Sequence, residues 1–331
     1  MAQLIFASTL DRQAKRHAWL RALLFRLEGL IVQLYWWTFR SLSPERAAGL
    51  GRFAVGVLGP RSSKAALVKA NLSIAFPLLD ASALDDLARR TWRNIGLVFG
   101  EYAHLNEIVR TGTDPRVQIV DRCGLDLYRR GGRQAIFVSA HLSNWEIMAL
   151  TLAREGVPML ALHASLQNPH LGVLMDRARA QVDCPMLARG PSTGEHTRMS
   201  ISTVASLMHQ LRSGGSLGLL LDLSMKDGVA LPFFGQPMRT SLSPVRMAQR
   251  YGCDIVPVRT QRVGPARFRL TTYAPLVLEA APADEEAHAI AITRQLTALF
   301  EQWIREQPDE WMCATRRWDK TVYRSLGLAH R

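Results

Sequence analysis

Between residues 117 and 263, short apolar runs alternate with longer segments in which apolar positions recur every three or four residues. The short runs are typical of strands covered on both faces, and the longer segments are typical of helices that bury one face. The alternation predicts an α/β domain in which helices flank a mixed sheet with parallel members. Core strands are predicted at 136–140, 159–163, 217–221 and 255–258, with another within 268–278, and helices near 145–154, 170–181, 201–213 and 243–251.

Helical patterns lie on both sides of this region. Residues 41–110 are predicted to form helices, with a break at Gly59-Pro60 and a helix start near Ser82. A last helix is predicted over 284–306, because Pro308 cannot continue it. No clear linker divides the chain, so we expect one α/β domain over 41–331, with a helical amino-terminal part, after a separate segment over 1–40.

The segment 19–39 is apolar but contains Arg21, Arg26 and Glu28. A spanning helix needs about 20 nearly uncharged residues, so this segment falls short. We expect a membrane-associating helix that lies in the interface, while a buried core helix and a true span stay open. No cleavage site of a signal peptide follows. Aromatic and basic residues suited to the headgroup region are Tyr35, Trp36, Trp37, Arg12, Lys15, Arg16 and Arg40.

Forty-one Lys and Arg against 28 Asp and Glu give the chain a formal net charge of +13. Such a surface attracts polyanions. Nucleic acid is not expected as a partner, because the chain lacks zinc-finger spacing, an RNP-like aromatic strand and a long basic tract. An anionic membrane, a phosphorylated glycolipid and an acidic carrier protein fit the charge equally well. The scattered Cys123, Cys184, Cys253 and Cys313 predict free buried thiols in a reducing compartment and no metal site.

The chemistry of the chain is concentrated after the predicted strand 136–140, where His141 is followed five positions later by Glu146. Ligand sites of α/β sheets lie at this carboxyl end of the strands. Residues five apart in a helix point about 140° apart, so His141 is expected in the turn and Glu146 on the first helical turn. There the carboxylate would hold one imidazole tautomer and stabilise the imidazolium formed on proton abstraction.

A structural interpretation of the same residues stays open. Ser143 and Glu146 have the spacing of a capping box, with Ser143 as N-cap and Glu146 at the third helical position. A single histidine is also more often structural than catalytic. The spacing alone does not decide between the two interpretations.

The motif His141-Leu-Ser-Asn-Trp-Glu146 resembles the H-x-x-x-x-D/E motif of glycerolipid-type acyltransferases, and its NWE form is similar to the bacterial lipid A late acyltransferase family. Leu142 stands where glycine is frequent, and Asp222 is followed by Leu-Ser in place of the common Gln or His. Four further segments occur in the family's order over about 250 residues. They are Asn71 to Pro77; Asn168 with Arg179; Asp222, Gly228, Phe233, Phe234, Gly235 and Thr240; and Trp311 with Arg316, Arg317 and Trp318.

The resemblance implies a glycerolipid acyltransferase-like fold. It also implies transfer of a fatty acyl chain from an acyl carrier protein thioester to a hydroxyl of a lipid A precursor. His141 would be the general base and Glu146 would orient it. The enzyme would use no metal or organic cofactor and would work at the cytoplasmic face of the bacterial inner membrane. Coenzyme A thioesters remain an alternative donor.

The resemblance also places candidate substrate-binding residues. Arg179 would bind either the developing oxyanion or an acceptor phosphate. Asn144 would shape the entrance, Arg189 would contact a phosphate, and Asp222 would lie at the sheet edge that carries His141. Two of them have a structural alternative: Asp222 would cap a helix or form a salt bridge, and Arg189 would lie in a loop. Arg316 and Arg317 would form a headgroup patch or a structural pair. The remaining candidates, which would line the acyl slot or only pack a turn, are Phe233, Phe234, Gly235 and Thr240.

Three other functions compete with this prediction. The acceptor would be another lysolipid or a glycolipid such as a phosphatidylinositol mannoside, the chain would be a non-catalytic membrane-binding homologue, or it would bind nucleic acid. The FFG block argues against lysophosphatidic acid, and His141 with Glu146 argues against loss of catalysis. The sequence shows no clustered basic face for nucleic acid.

Overall fold

The strands define the frame of the protein in a computed structural model that describes residues 17–163, 184–188, 200–278 and 283–328. Their bounds are β1 Val117–Val120, β2 Ala135–Ser139, β3 Met159–His163, β4 Met186–Ala188, β5 Ser216–Leu220, β6 Val229–Phe233, β7 Gln236–Thr240, β8 Asp254–Gly264 and β9 Arg267–Thr272.

Seven strands form one mixed sheet in the order β1-β9-β8-β2-β5-β3-β4. The central strand β2 is parallel to both β5 and β8, and β3 is parallel to β5 and β4. The strands β8 and β9 are antiparallel, and β1 lies parallel to β9 at one edge. The predicted mixed sheet and its five predicted strands are confirmed. The carboxyl ends of β2, β5 and β3 therefore meet at one edge.

A separate antiparallel hairpin of β6 and β7 was not predicted. Pro232 and Pro237 face each other across it. Proline has no backbone N–H to donate, so its presence lowers the strand signal of both segments. The short strands β1 and β4 were missed as well, since four and three residues carry little periodic pattern.

Helices cover both faces of the sheet. The amino-terminal group is α1 Ala18–Arg40, α2 Pro44–Leu58, α3 Ala65–Ala75, α4 Ala81–Glu101 and α5 Leu105–Ile108. The later helices are α6 Glu146–Arg154, α7 Ile201–Arg212, α8 Ser243–Tyr251, α9 Glu285–Glu306 and α10 Lys320–Ser325. The predictions near 145–154, 201–213, 243–251 and 284–306 are confirmed, and the one near 170–181 lies outside the described residues.

The strand β2 separates two apolar cores. Ile136 and Val138 belong to the core that includes Phe300 of α9, whereas Phe137 belongs to the core that includes Ile147 of α6. All five residues of β2 are buried, which confirms that the strand is covered on both faces. The four cysteines are buried thiols, as predicted, and burial raises the pKa of Cys313 to about 12.

The helices α2 and α4 cross at backbone contact. A Cβ atom on Gly51 would lie 2.2 Å from the carbonyl oxygen of Gly96, and one on Gly100 would lie 2.3 Å from that of Ala47. Only residues without side chains allow helices to approach this closely. The small residues of the two helices therefore set the position of α2.

The helix α1 is attached to the end of α4 and leaves an apolar stripe exposed. Arg40 donates to the carbonyl oxygen of Ala103 at 2.9 Å, and His104 Nε2 lies 2.9 Å from that of Phe39. Within the described residues, none of the helices is both long and apolar enough to cross a bilayer. Arg12, Lys15 and Arg16 lie outside the described residues. The stripe recurs at helical spacing and consists of Trp19, Leu23, Leu27, Leu30, Leu34 and Trp37.

Candidate active site

His141 and Asp222 meet at the carboxyl edge of the sheet. Ser139 of β2 is paired with Leu220 of β5. His141 lies two positions after Ser139, and Asp222 lies two positions after Leu220. His141 Nδ1 lies 2.5 Å from Asp222 Oδ1, and the backbone N–H of His141 donates to the same oxygen at 3.0 Å. Neighbouring parallel strands thus bring together two residues that are 81 positions apart in the sequence.

Asp222 is fully buried and receives hydrogen bonds on both oxygens. Trp311 Nε1 and Arg317 Nη2 each donate to Oδ2 at 3.1 Å. Burial by itself would raise the pKa of Asp222, but the charges of His141 and Arg317, with the hydrogen bonds from His141 and Trp311, hold that pKa well below its ordinary value. An ionised Asp222 requires the proton of a neutral His141 to sit on Nδ1. Nε2 is then the basic nitrogen.

The side chain of His141 keeps 15% of its surface exposed, whereas Asp222 has none. The ring centroid of His141 lies 5.6 Å from that of Trp145. A substrate therefore has access to the imidazole but not to the carboxylate that orients it. This division is the one expected of a general base and its partner.

Glu146 does not make the predicted contact with His141. Tyr102 donates its hydroxyl hydrogen to Glu146 Oε1 at 2.8 Å, in a buried contact, while Asp222 takes the Nδ1 position. The backbone of Ser143 has a φ of 52°, so the chain makes an irregular turn before α6 begins at Glu146. The capping box, which was the structural alternative, does not form either, because the N-cap is Trp145 and its side chain makes no capping hydrogen bond.

Asn144 is buried, and its amide group is used inside the protein. Its Nδ2 donates to Glu101 Oε2 at 3.0 Å, and its Oδ1 accepts from the backbone N–H of Glu146 at 3.3 Å. Glu101 is in turn paired with Arg262, whose Nη2 lies 3.1 Å from Oε2. These contacts place Asn144 in the support of the turn, whereas the sequence predicted a substrate contact.

The carboxyl-terminal segment forms the floor of the turn. The backbone N–H of Met312 donates to the carbonyl oxygen of His141 at 2.9 Å, and Leu142 forms a bridge with Trp311. Asn71 Nδ2 donates to the carbonyl oxygens of Cys313 and Thr315 at 2.7 and 2.9 Å. The segment that begins at Asn71 and the segment that begins at Trp311 therefore contact each other next to the turn that carries His141.

Arg317 is completely buried, so the predicted surface patch is wrong for this residue and the structural alternative holds. Besides Asp222, it donates to the carbonyl oxygen of Met312 at 2.6 Å. A buried arginine is tolerated when a carboxylate and carbonyl oxygens receive its N–H groups. Trp311 and Trp318 belong to the same motif as Arg317, and these two tryptophans were the available signal in the sequence for its burial.

The FFG block is the turn of the β6–β7 hairpin. Phe234 and Gly235 have φ of 50° and 72°, and the ring centroids of Phe233 and Phe234 lie 6.1 and 5.8 Å from that of Trp311. Thr240 is buried and donates to the carbonyl oxygen of Met238 at 3.3 Å. The described contacts of these four predicted substrate-binding residues are therefore internal. Phe233 and Phe234 pack the hairpin against Trp311, one of the residues that donate to Asp222.

A small apolar pocket, partly open to solvent, lies at the same edge of the sheet. Its wall includes Leu221 and Leu223, the residues directly before and after Asp222 in the sequence. Sequence motifs did not identify this pocket, because its leucines are ordinary core residues by pattern. The wall is completed by β3, α7 and α8 through Leu162, Leu207 and Met247.

Two predicted site residues, Arg179 and Arg189, lie outside the described residues, and so does Asn168. Within the described part of the chain, no group of three His, Cys, Asp or Glu side chains is arranged to hold a metal ion.

Comparison with known proteins defines the class of the chain as a lipid acyltransferase. The sequence model of the family described as bacterial lipid A biosynthesis acyltransferase matches residues 21–320. The chain belongs to this family, which confirms the resemblance found from its motifs.

A solved structure that matches is the 1-acyl-sn-glycerophosphate (LPA) acyltransferase PlsC from Thermotoga maritima. It is 11% identical, with 85% of this chain and 97% of that chain covered and a TM-score of 0.35. No curated protein matches the sequence.

Proposed function

We propose that the protein transfers a fatty acyl chain from an acyl carrier protein thioester to a hydroxyl of a lipid A precursor, with His141 as general base. The observation that carries the proposal is the hydrogen bond of 2.5 Å between His141 Nδ1 and the buried Asp222. It adds a specific catalytic geometry to the family membership. Asp222, and not Glu146, takes the orienting role in this proposal.

In the reaction, His141 Nε2 removes the proton of the acceptor hydroxyl as that oxygen attacks the thioester carbonyl carbon. Collapse of the tetrahedral intermediate breaks the carbon–sulfur bond, and the imidazolium returns the proton to the leaving thiolate. The ester and the free thiol are the products. No covalent enzyme intermediate is required, because the thioester is already activated.

The carbonyl oxygen becomes negatively charged in the intermediate and needs hydrogen-bond donors. Backbone N–H groups of the turn after His141 are the first candidates; at the start of α6 itself, those of Glu146 and Ile147 already donate to Asn144. Arg179 is the second candidate donor. Each well-placed donor contributes about 3 kcal/mol of stabilisation to such an oxyanion.

The pocket wall beside Asp222 supports an apolar substrate. Leu221, Leu223 and Met247 offer the acyl chain apolar contacts. A chain bound there would bring its thioester toward the edge of the sheet that carries His141. The pocket, and not the FFG block, is therefore the proposed acyl site.

We propose that the protein acts at the cytoplasmic face of the bacterial inner membrane. The exposed stripe of α1 and the apolar side chains of α2, with Phe53 at 70% and Leu58 at 66% exposure, support insertion into one face of a bilayer. The net charge of +13 fits both anionic lipids and an acidic carrier protein.

The test is acyl transfer by purified wild-type protein and His141→Ala, using a mixture of acyl carrier protein thioesters and a tetraacyl lipid A precursor, with mass spectrometry of the product. We expect a single acyl addition that the variant loses. Transfer only to another lysolipid or glycolipid would replace the acceptor, and transfer only from coenzyme A thioesters would replace the donor. A folded wild-type protein without transfer to any of them would refute the proposal.

A further inference from the structure

The last residues of α4 contact the turn that carries His141. Glu101 accepts from Asn144 Nδ2 at 3.0 Å, and the next residue, Tyr102, donates to Glu146 Oε1 at 2.8 Å. Neither residue is among the predicted site residues. Two consecutive residues, the last of α4 and the one that follows it, thus contact two of the five residues that follow His141.

Glu101 and Arg262 form a buried ion pair behind Asn144. The side chain of Glu101 has no exposed surface, and that of Arg262 has 10%. Nη1 and Nη2 of Arg262 both donate to the carboxylate of Glu101. The Cζ atom of Arg262 lies 4.8 Å from the ring centroid of Phe268. Burying two charges costs more than an apolar pair of the same size, so stability does not explain their presence.

The pair reaches the turn from two sides. Asn144 Oδ1 accepts from the backbone N–H of Glu146, and therefore joins Glu101 to the start of α6. The backbone N–H of Arg262 donates to Glu310 Oε2 at 3.4 Å, and the carbonyl oxygen of Glu310 accepts from the backbone N–H of Ser143 at 2.9 Å. Ser143 has a left-handed backbone, which a non-glycine residue adopts at a cost that surrounding contacts must offset.

We infer that Glu101 and Arg262 are positioning residues for acyl transfer, acting through Asn144 on the turn between His141 and α6. The inference rests on the proposed function. The carboxylate of Glu101 fixes the amide of Asn144, and Arg262 keeps that carboxylate ionised and in place. The turn then holds His141 against Asp222 in reacting geometry. Neither residue contacts the substrate.

The test replaces the pair by apolar side chains of similar size, Glu101→Leu with Arg262→Met. We expect kcat to fall at least tenfold while the KM values for donor and acceptor stay within twofold, because alignment and not binding is lost. The variant Glu101→Gln with Arg262→Met restores an acceptor for Asn144 and should recover most of the lost kcat. A kcat within twofold of wild type in the first variant, or no recovery in the second, would overturn the inference.

A matched control lies on the same strand. Arg259, three residues before Arg262 on β8, pairs with Glu306 of α9 and lies 5.9 Å from the ring centroid of Trp303, away from the contacts with the turn. Arg259→Met with Glu306→Gln removes the same charges, and we expect kcat within twofold of wild type. An equal loss of kcat in this control would show a general effect of losing ion pairs and would overturn the inference.

Two measurements keep the test decisive. If the double variant does not fold, Asn144→Ala leaves the ion pair intact and should lower kcat alone; a raised KM at unchanged kcat would show a substrate contact instead. If wild-type protein shows no acyl transfer, the proposed function fails. The conformation of the turn is then tested by the rate at which diethyl pyrocarbonate modifies His141. The variants should then be modified several-fold faster than wild type, and an unchanged rate would overturn the inference.

Discussion

The carboxyl edge of the sheet and the amino-terminal helical layer are held together by opposite means. At the edge, the buried charges of Asp222, Arg317 and Glu101 form directional hydrogen bonds. In the layer, Gly51 and Gly100 bring α2 and α4 into backbone contact, and apolar side chains face outward. The edge fixes the position of one imidazole to within a hydrogen bond. The layer fixes only the positions of the helices, and its apolar side chains stay exposed for the proposed contact with a membrane.

The largest effect should separate the two acidic residues of the edge. Asp222→Asn removes the charge that orients His141, and we expect kcat to fall about 10³-fold, in line with the large losses found when such a carboxylate becomes an amide. Glu146→Gln should cost about tenfold, since the buried contact of Glu146 with Tyr102 supports the turn while Asp222 orients His141. Steady-state kinetics of both variants, with circular dichroism to verify folding, make the measurement. A greater loss in Glu146→Gln would reverse the assignment.

The next largest effect should be in the helical layer. Gly100→Ala places a Cβ atom 2.3 Å from the carbonyl oxygen of Ala47, and we expect it to lower the free energy of unfolding by about 3 kcal/mol. Gly49→Ala makes the same chemical change on α2 where no atom lies within 4 Å. It should be neutral or stabilise by up to about 1 kcal/mol. Equal denaturation midpoints for the two variants would contradict the close crossing of α2 and α4.

The outward face of the layer should show in membrane binding and not in folding. Leu30→Ser with Leu34→Ser removes two side chains that are 61% and 69% exposed, so the unfolding temperature should stay unchanged. Binding to anionic phospholipid vesicles should fall at least tenfold, since each buried leucine contributes about 1.5–3 kcal/mol. The exposed polar neighbour Gln33 gives the control Gln33→Ser. Vesicle binding that both variants retain would rule out the stripe of α1 as the contact surface.

The smallest effect should be a pH dependence at the edge, where Glu310 contacts the turn. Burial raises the pKa of Glu310 to about 7 from an ordinary value of 4.5. Between these values the folded chain keeps a proton that the unfolded chain has released. The stabilising contribution of Glu310 is therefore fully present below pH 4.5 and is lost as the pH rises through about 7.

Thermal unfolding measured from pH 5 to pH 7.5 checks this prediction. The unfolding temperature of wild type should fall as the pH rises, and Glu310→Gln should flatten the slope. Asp222 acts in a separate window, because its lowered pKa stabilises the fold above pH 4 and that contribution is lost only in stronger acid. Identical slopes in wild type and Glu310→Gln would contradict the assignment.

Local pattern was enough for most of the fold. The strand β2 is buried on both faces, and its continuous apolar run predicted that. The helix α9 begins after the N-cap Asp284 and ends before Pro308, as capping and proline chemistry predict. The hairpin of β6 and β7 was missed because its two prolines weaken the strand pattern.

The sequence by itself determined the α/β class, the family and the location of His141 at the end of a strand, because periodicity, caps and motif spacing are local properties of the chain. Only the tertiary structure decided which carboxylate meets His141. The nearer candidate in sequence, Glu146, contacts Tyr102, whereas Asp222 reaches His141 from 81 positions away. Strand order sets that contact, and strand order depends on the packing of the whole sheet and not on any segment of it.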